Sequence, residues 1–343
     1  MRIGLVGAGR IGAFHAGTLA GLPEVDEVVV TDAVPEAAAA LAERAGHTYA
    51  ADVAELLDRD LDGLVITSST ASHAELLRTG IAAGLPTFCE KPMAGTLAEN
   101  VALAAEVEAS GVPVHLGFQR RFDDGYLAAR AAVASGELGF VHTIRANTHD
   151  QSPPPAGYLP TSGGLFRDCN LHDFDIVRFV SGREVVSVFG RGANQGDPYF
   201  TESGDVDTAA ALLTLDDDTL VLVSATRYNG AGHDVRLEVL GSRGAVAVGL
   251  DHSLALDSAE TGVDFPRGPR HWSFMERFLP AYQAELTAYV AMAQGRTPSP
   301  CTVVDALAAF RVAEACDRSR LTGLPVELAD VQGAPGATEG APA

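Results

Sequence analysis

The sequence predicts an α/β chain in two parts: a doubly wound parallel sheet over residues 1–119, then an α+β domain over residues 120–330 carrying an antiparallel sheet. Three observations predict it. From residue 1 to about 119, short β-branched runs alternate with Ala-rich stretches, the pattern of right-handed crossovers onto parallel strands. Beyond GFQRRF the apolar pattern changes to two-residue alternation, which belongs to half-buried antiparallel strands. Finally, 343 residues exceed the roughly 250 to 300 at which single cores stop growing.

Taken in order, the strand runs of the first part are RIGLVG, DEVVVTD, a brief HTYA, LDGLVITS, PTFCEK and PVHLGF. Between them, PEAAAALAERAG has Pro in a first helical turn and Gly as a stop, and SHAELLRTGIAAG places Ser72 as an N-cap. In the second part, residues 208–228 read as a hairpin turning at Asp216 to Asp218, and residues 235–250 as another turning at Ser242 to Gly244. Two helices close the domain: residues 273–295, with Pro280 expected to kink or delay the helix, and residues 303–320 behind a Thr302 cap. The end of the chain, residues 331–343, holds no core-forming run and is expected to be a flexible tail.

Composition narrows the function. A net charge of −21 and a pI near 4.7, with no basic cluster, exclude nucleic acid as a partner. No apolar run approaches the ~20 residues of a membrane span, and MRIGLVGAGR enters a strand pattern instead of a signal peptide. A cytoplasmic protein acting on a small molecule is expected. Cys89, Cys169, Cys301 and Cys316 lie far apart without ligand spacing, against both a zinc site and a disulfide framework. Of 24 basic residues, 23 are Arg and one is Lys91. Guanidinium keeps its proton at any working pH, whereas an amine is a compact charge that its surroundings can tune.

Gly7-Ala8-Gly9-Arg10-Ile11-Gly12 follows the first strand and opens a helix. In that context the first glycine permits a tight turn, the second lets backbone approach a pyrophosphate, and the third lets helix pack on strand. Twenty residues on, Asp32 ends the second strand, where a carboxylate can accept hydrogen bonds from ribose hydroxyls; Ala33 follows, with no Arg for a 2′-phosphate. NAD is favoured over NADP, although Arg10 is a basic group close to the same place. In residues 162–182, Asp168, His172 and Asp175 have i, i+4, i+7 spacing, which on an α-helix puts them on one face. A His between carboxylates suits a general base removing a hydroxyl proton, while a solvated face with local ion pairs fits the spacing as well.

GAGRIG near the N-terminus, Glu90-Lys91-Pro92 at the end of the fifth strand and SGGLFRDCNLHDFD in the following domain together resemble the glucose-fructose oxidoreductase/inositol dehydrogenase/rhizopine catabolism (Gfo/Idh/MocA) family. The resemblance spans Arg2 to about Pro325. It implies a Rossmann domain, a second domain with an open, mainly antiparallel sheet, and dimers or tetramers formed through the sheet face. It implies NAD(P)-dependent oxidation of a secondary hydroxyl of a cyclitol or sugar, most like myo-inositol to the 2-keto inosose. By position, Lys91, Asp168 and His172 match the family's catalytic residues, with His172 as proton acceptor and Lys91 polarising the oxygen. Ser68, Ser69, His73 and Glu90 fall at cofactor-binding positions, although residues 67–70 lack the family's usual proline. Asp175 matches a polar substrate contact, Arg121 reaches substrate or ties domains together, and His149 and Asp150 are candidate substrate contacts beside a Pro-rich rim. A cis peptide at Lys91-Pro92 is also implied. Other sugars, amino sugars or glycosides share these motifs, and a sensing regulator that lost the reaction is the reading from another class.

Overall fold

The computed structural model describes residues 1–332. The chain divides into two units, and the division is not the linear one expected: residues 1–118 and 282–307 form the first, residues 119–281 and 308–332 the second. Part of the C-terminal helical region thus belongs with the N-terminal sheet. Of the expected tail, residues 333–343 lie outside the described residues, while Val331 is buried and its N–H donates to the Leu328 carbonyl at 3.1 Å.

The first unit runs β1 (Arg2–Val6), α1 (Arg10–Ala20), β2 (Glu27–Thr31), α2 (Pro35–Ala45), β3 (Thr48–Tyr49), α3 (Val53–Leu57), β4 (Gly63–Ile66), α4 (Thr70–Ala82), β5 (Thr87–Glu90), α5 (Leu97–Ser110) and β6 (Val114–Gly117). All six strands are parallel, in the order β3-β2-β1-β4-β5-β6. That is the doubly wound order whose reversal lies between β1 and β4, where ligands bind beyond the strand C-termini. Helix α4 starts three residues before the expected Ser72: its N-cap is Ser69, and the Ser72 hydroxyl donates back to the Ser69 carbonyl at 2.9 Å. The core joins Ile3, Leu5, Val30, Val65 and Phe88 to Leu286, Tyr289 and Val290. Tyr289 explains why residues 282–307 belong here. Its buried hydroxyl donates to the carbonyls of Leu64 (3.0 Å) and Pro86 (3.1 Å), and a Cβ at Gly63 would collide with that oxygen. The peptide bonds Lys91-Pro92 and Phe265-Pro266 are cis.

The second unit runs α6 (Asp124–Ala134), β7 (Val141–His149), α7 (Leu159–Ser162), a π-helical turn (Phe166–Asn170), α8 (Leu171–Ser181), β8 (Val185–Ala193), α9 (Tyr199–Glu202), β9 (Thr208–Leu215), β10 (Leu220–Thr226), β11 (Asp234–Gly241), β12 (Ala245–Val248) and β13 (Val326–Glu327). Two longer helices, α10 (Phe274–Ala293) and α11 (Val303–Thr322), each contribute to both units. Pro280 sits inside α10, and the boundary between units falls after Ala281. Thr302 caps α11 as expected, exchanging hydrogen bonds with Asp305. The seven-stranded sheet has the order β12-β11-β7-β10-β9-β8-β13, antiparallel throughout except for β7 beside β10. Both expected hairpins are present, β9–β10 and β11–β12. At one register position Phe189, Leu212, Leu222, Arg145 and Glu238 form a row across five strands. Phe189, Leu212 and Leu222 are 36%, 44% and 48% exposed, whereas their neighbours Val188, Leu213 and Val221 are buried. Strict alternation along each strand therefore leaves one sheet face open with an apolar stripe.

Candidate functional site

In the first unit the site is made largely from main chain. Gly7 has φ +111°, a left-handed value, and a Cβ there would come within 2.6 Å of the Ser68 nitrogen. A Cβ at Gly12 would strike the Gly7 carbonyl, so that glycine seats α1 on the turn. Gly9 is different: a Cβ there would meet nothing within 4 Å, which leaves its surface open for close approach. Gly9 is also the N-cap of α1 and supplies no side-chain acceptor to the first-turn N–H groups, a ready site for phosphate. Arg10 is exposed and Ile11 half-buried on that turn. Asp32 accepts from the Ala8 N–H at 2.6 Å and from the Val34 N–H at 2.9 Å, fixing its carboxylate beside the glycine loop. The residues present fit a dinucleotide.

The remaining expected cofactor residues divide. Ser68 is half-buried, its Oγ 2.7 Å from that of Ser72, and Ser69 is exposed at the α4 N-terminus. His73, expected at the cofactor, is only 1% exposed and is a brace instead: Nδ1 meets the Pro92 carbonyl at 2.7 Å and Nε2 faces the Ser68 carbonyl at 3.1 Å. It pins the loop after β4 to the loop after β5, and so fixes the backbone beside Lys91. Glu90 is held by His15 of α1, Nε2 to Oε1 at 2.7 Å, and its carboxylate rests over Gly117, where a Cβ would lie 3.0 Å from Oε2. Lys91 is half-buried.

In the second unit the expected single α-helical face is corrected. Residues 166–170 form a π-helical turn before α8 begins. Its wider i→i+5 winding rotates Asp168 away from the α-helical register of Asp175. The two carboxylates accordingly have different partners. Asp175 is 1% exposed and takes both ends of a fork from Arg121, Nε to Oδ2 at 2.8 Å and Nη2 to Oδ1 at 2.5 Å. Arg121 is itself 6% exposed, so both candidate substrate contacts are turned toward each other. Asp168 accepts from Arg227 Nη2 at 2.5 Å and from the Tyr158 hydroxyl at 3.0 Å. His172, the second residue of α8, is half-buried.

His149 ends β7 and Asp150 follows it. His149 Nε2 is 3.0 Å from Ser224 Oγ and Nδ1 is 3.8 Å from Asp234; burial lowers its basicity, against the pull of Asp234. Asp150 meets Arg227 at 2.9 Å and His233 at 3.5 Å. Burial alone would raise its pKa, but the His233 hydrogen bond and the Arg227 charge prevail and hold it at about 2. Burial likewise opposes the Arg227 charge, and the neighbouring Cys169, Asp168 and Asp150 outweigh it and raise the pKa. Burial, reinforced by Asp168, pushes the Tyr158 phenol up.

Sequence reasoning missed Arg227, Tyr158 and Asp173. Asp173 is fully buried, bound by Arg120 at 2.6 Å, Asn170 at 2.8 Å and the Thr148 hydroxyl. The doubled arginine of Gln119-Arg120-Arg121-Phe122 was the available signal, one guanidinium for each of Asp173 and Asp175. Among the described residues no group of three or more His, Cys, Asp or Glu is disposed to hold a metal ion, and no helix is long and apolar enough to cross a membrane.

Fold and cradle together define a dinucleotide-dependent oxidoreductase. Residues 1–118 match the oxidoreductase family profile with NAD-binding Rossmann fold, and residues 126–247 match the Gfo/Idh/MocA C-terminal domain. The chain belongs to the Gfo/Idh/MocA oxidoreductase family. It is 42% identical over 330 residues to a myo-inositol dehydrogenase of Streptomyces leeuwenhoekii, covering 94% of this chain and 98% of that one. A crystal structure of a myo-inositol dehydrogenase from Corynebacterium glutamicum superposes with a TM-score of 0.88 at 33% identity, covering 96% and 98%. A scyllo-inositol dehydrogenase from Lactobacillus casei, solved with bound NAD(H) and scyllo-inositol, gives 0.85 at 26% identity, covering 96% and 99%.

Proposed function

We infer that this protein is an NAD-dependent polyol dehydrogenase that oxidises a secondary hydroxyl of an inositol, with myo-inositol to the 2-keto inosose as the reaction best supported. The observation that carries the reading is the near full-length likeness to a myo-inositol dehydrogenase in a chain that has Lys91, Asp168 and His172 together. Asp32 and the glycine turn hold the adenosine and pyrophosphate portions of the dinucleotide. His172 accepts the hydroxyl proton as general base, and Asp168 orients its imidazole. The Lys91 ammonium stabilises the negative charge that develops on the oxygen. NAD, held by the glycine turn and Asp32, would supply the hydride acceptor for the carbon that bears this hydroxyl. His149 and Asp150 are the substrate contacts of the β7 end, and the Arg121–Asp175 pair is a fixed, buried ion pair.

The protein works in the cytoplasm as a dimer or tetramer of this chain assembled through the open sheet face. The apolar row of Phe189, Leu212 and Leu222 supports that assembly; it borders a groove of about 500 Å³ and carries the Arg145–Glu238 ion pair at one end. Light scattering of the wild type and of Leu212→Glu checks it, with dissociation of the variant expected and an unchanged mass excluding this face.

The test of the activity is initial-rate reduction of NAD and, separately, NADP across inositols, aldoses and glycosides. Fast NAD-linked turnover of an inositol is the expected result. Turnover of a hexose or glycoside instead keeps the chemistry and moves the substrate. Tight NAD binding with no turnover on any compound favours a sensing regulator.

A further inference from the structure

Arg227 has no part in the mechanism above, yet it engages two carboxylates and a thiol. Its side chain is 4% exposed. Nη1 donates to Asp150 Oδ2 at 2.9 Å and contacts Cys169 Sγ at 2.9 Å, while Nη2 donates to Asp168 Oδ2 at 2.5 Å. The far oxygen of Asp168 takes the Tyr158 hydroxyl, and the Cys169 thiol leans on Asp150 at 3.4 Å. The anchor of this fork is the sheet. Arg227 follows the last residue of β10 and Asp150 the last of β7, strands paired in parallel register at Thr226 and His149. The Arg227 N–H donates to the Asp207 carbonyl and the Asp150 N–H to the Thr226 carbonyl.

Two carboxylates share one buried guanidinium, and His233 lies 3.5 Å from Asp150. A buried ion cluster is a poor device for stability, because desolvation opposes each of its charges. It is a good device for holding a carboxylate in one orientation, since a planar fork fixes direction where a point charge does not. We propose that Arg227 is a positioning residue: it ties Asp168, on the π-helical turn, to the ends of β7 and β10, so that the carboxylate orienting His172 takes its direction from the sheet. The proposal rests on the roles given above to Asp168 and His172.

The test compares wild type, Arg227→Lys, Arg227→Gln, Asp168→Asn and the Arg227→Lys/Asp168→Asn double variant as full-length protein. Lysine keeps the charge and loses the fork. Arg227→Lys is expected to lower kcat about 10- to 100-fold, the scale of a small misplacement of a catalytic group, with NAD affinity within about threefold, while KM rises as well because Asp150 loses the same fork. In the Asp168→Asn background the same change is expected to alter kcat by less than about threefold, because residues acting as a unit are not additive. Arg227→Gln, where it folds, is expected to lose more kcat than Arg227→Lys. An equal loss of kcat in both backgrounds, or wild-type kcat in Arg227→Lys, overturns the proposal. If the wild type turns over no polyol, the functional reading fails by itself. The Arg227–Asp168 link is then judged by the unfolding free energies of the same four-protein cycle, where non-additivity supports it and additivity sinks it.

Discussion

The candidate site residues of the two units are held by different materials. In the first unit the cradle is main chain: a left-handed glycine, a helix N-terminus without a side-chain cap, and Asp32 and His73 bound to backbone N–H and carbonyl groups. In the second unit it is side chain on side chain: Arg120 with Asp173, Arg121 with Asp175, and Arg227 with Asp168 and Asp150. A main-chain cradle is set by local conformation and tolerates much change in nearby side chains. A lattice of buried ion pairs holds groups rigidly, but every member depends on its partner, and removal of one strands the other without water.

Substitutions can break or sharpen this contrast. The largest effect is expected for Lys91→Ala and His172→Ala, each lowering kcat about 10²- to 10⁴-fold while NAD binding, followed by fluorescence, is retained; near-normal turnover removes that residue from the mechanism. Next comes Asp173→Ala, which strands the buried Arg120 guanidinium and should destabilise the protein by about 3 to 5 kcal/mol in chemical unfolding. A loss below about 1 kcal/mol, the scale of exposed pairs, would deny the second unit its proposed character. Gly12→Ala forces a methyl against the Gly7 carbonyl and should cost about 1 to 3 kcal/mol, as overpacking does, read as weakened NAD affinity; wild-type affinity would mean that the turn can shift without consequence. Asp32→Ala should then narrow or reverse the NAD over NADP preference by about tenfold, the scale of a hydrogen bond to a charged group, and an unaltered ratio would assign ribose recognition elsewhere.

The smallest effect concerns acid. The Asp150 pKa is depressed from its model-compound value of 3.8 to about 2, so it contributes stability above pH 3.8 that fades as pH falls toward 2. Asp150→Asn should therefore flatten the stability curve between those limits. An identical slope in both proteins would separate Asp150 from Arg227 and His233 electrostatically.

The same contrast explains what the sequence disclosed. Main-chain devices leave local marks: GAGRIG, the acid at Asp32 and the six apolar runs all fall where the structure has them, because each is written as a short contiguous pattern even where its partner is distant, as Ala8 is from Asp32. The hairpins at residues 216–218 and 242–244 were legible for the same reason. Side-chain lattices are long-range. Arg227 reaches Asp168 across 59 positions and Arg121 reaches Asp175 across 54, and neither spacing carries a signal. The i, i+4, i+7 pattern of Asp168, His172 and Asp175 misled for a related reason, since periodicity presumes α-helical winding and the π-helical turn at Phe166–Asn170 departs from it. Residues 282–307 escaped a linear division because Tyr289 finds its acceptors on Leu64 and Pro86, more than 200 positions away.

Lys91 is the only lysine in the chain. The protein consequently carries a single ε-amine, so a reagent that modifies many lysines in an ordinary protein meets one lysine side chain here. A lysine labelled with nitrogen-15 would give one side-chain resonance, and reductive methylation one pair of dimethylamine signals. Each would be an uncrowded spectroscopic window on the proposed reaction centre, with no mutation needed to create it.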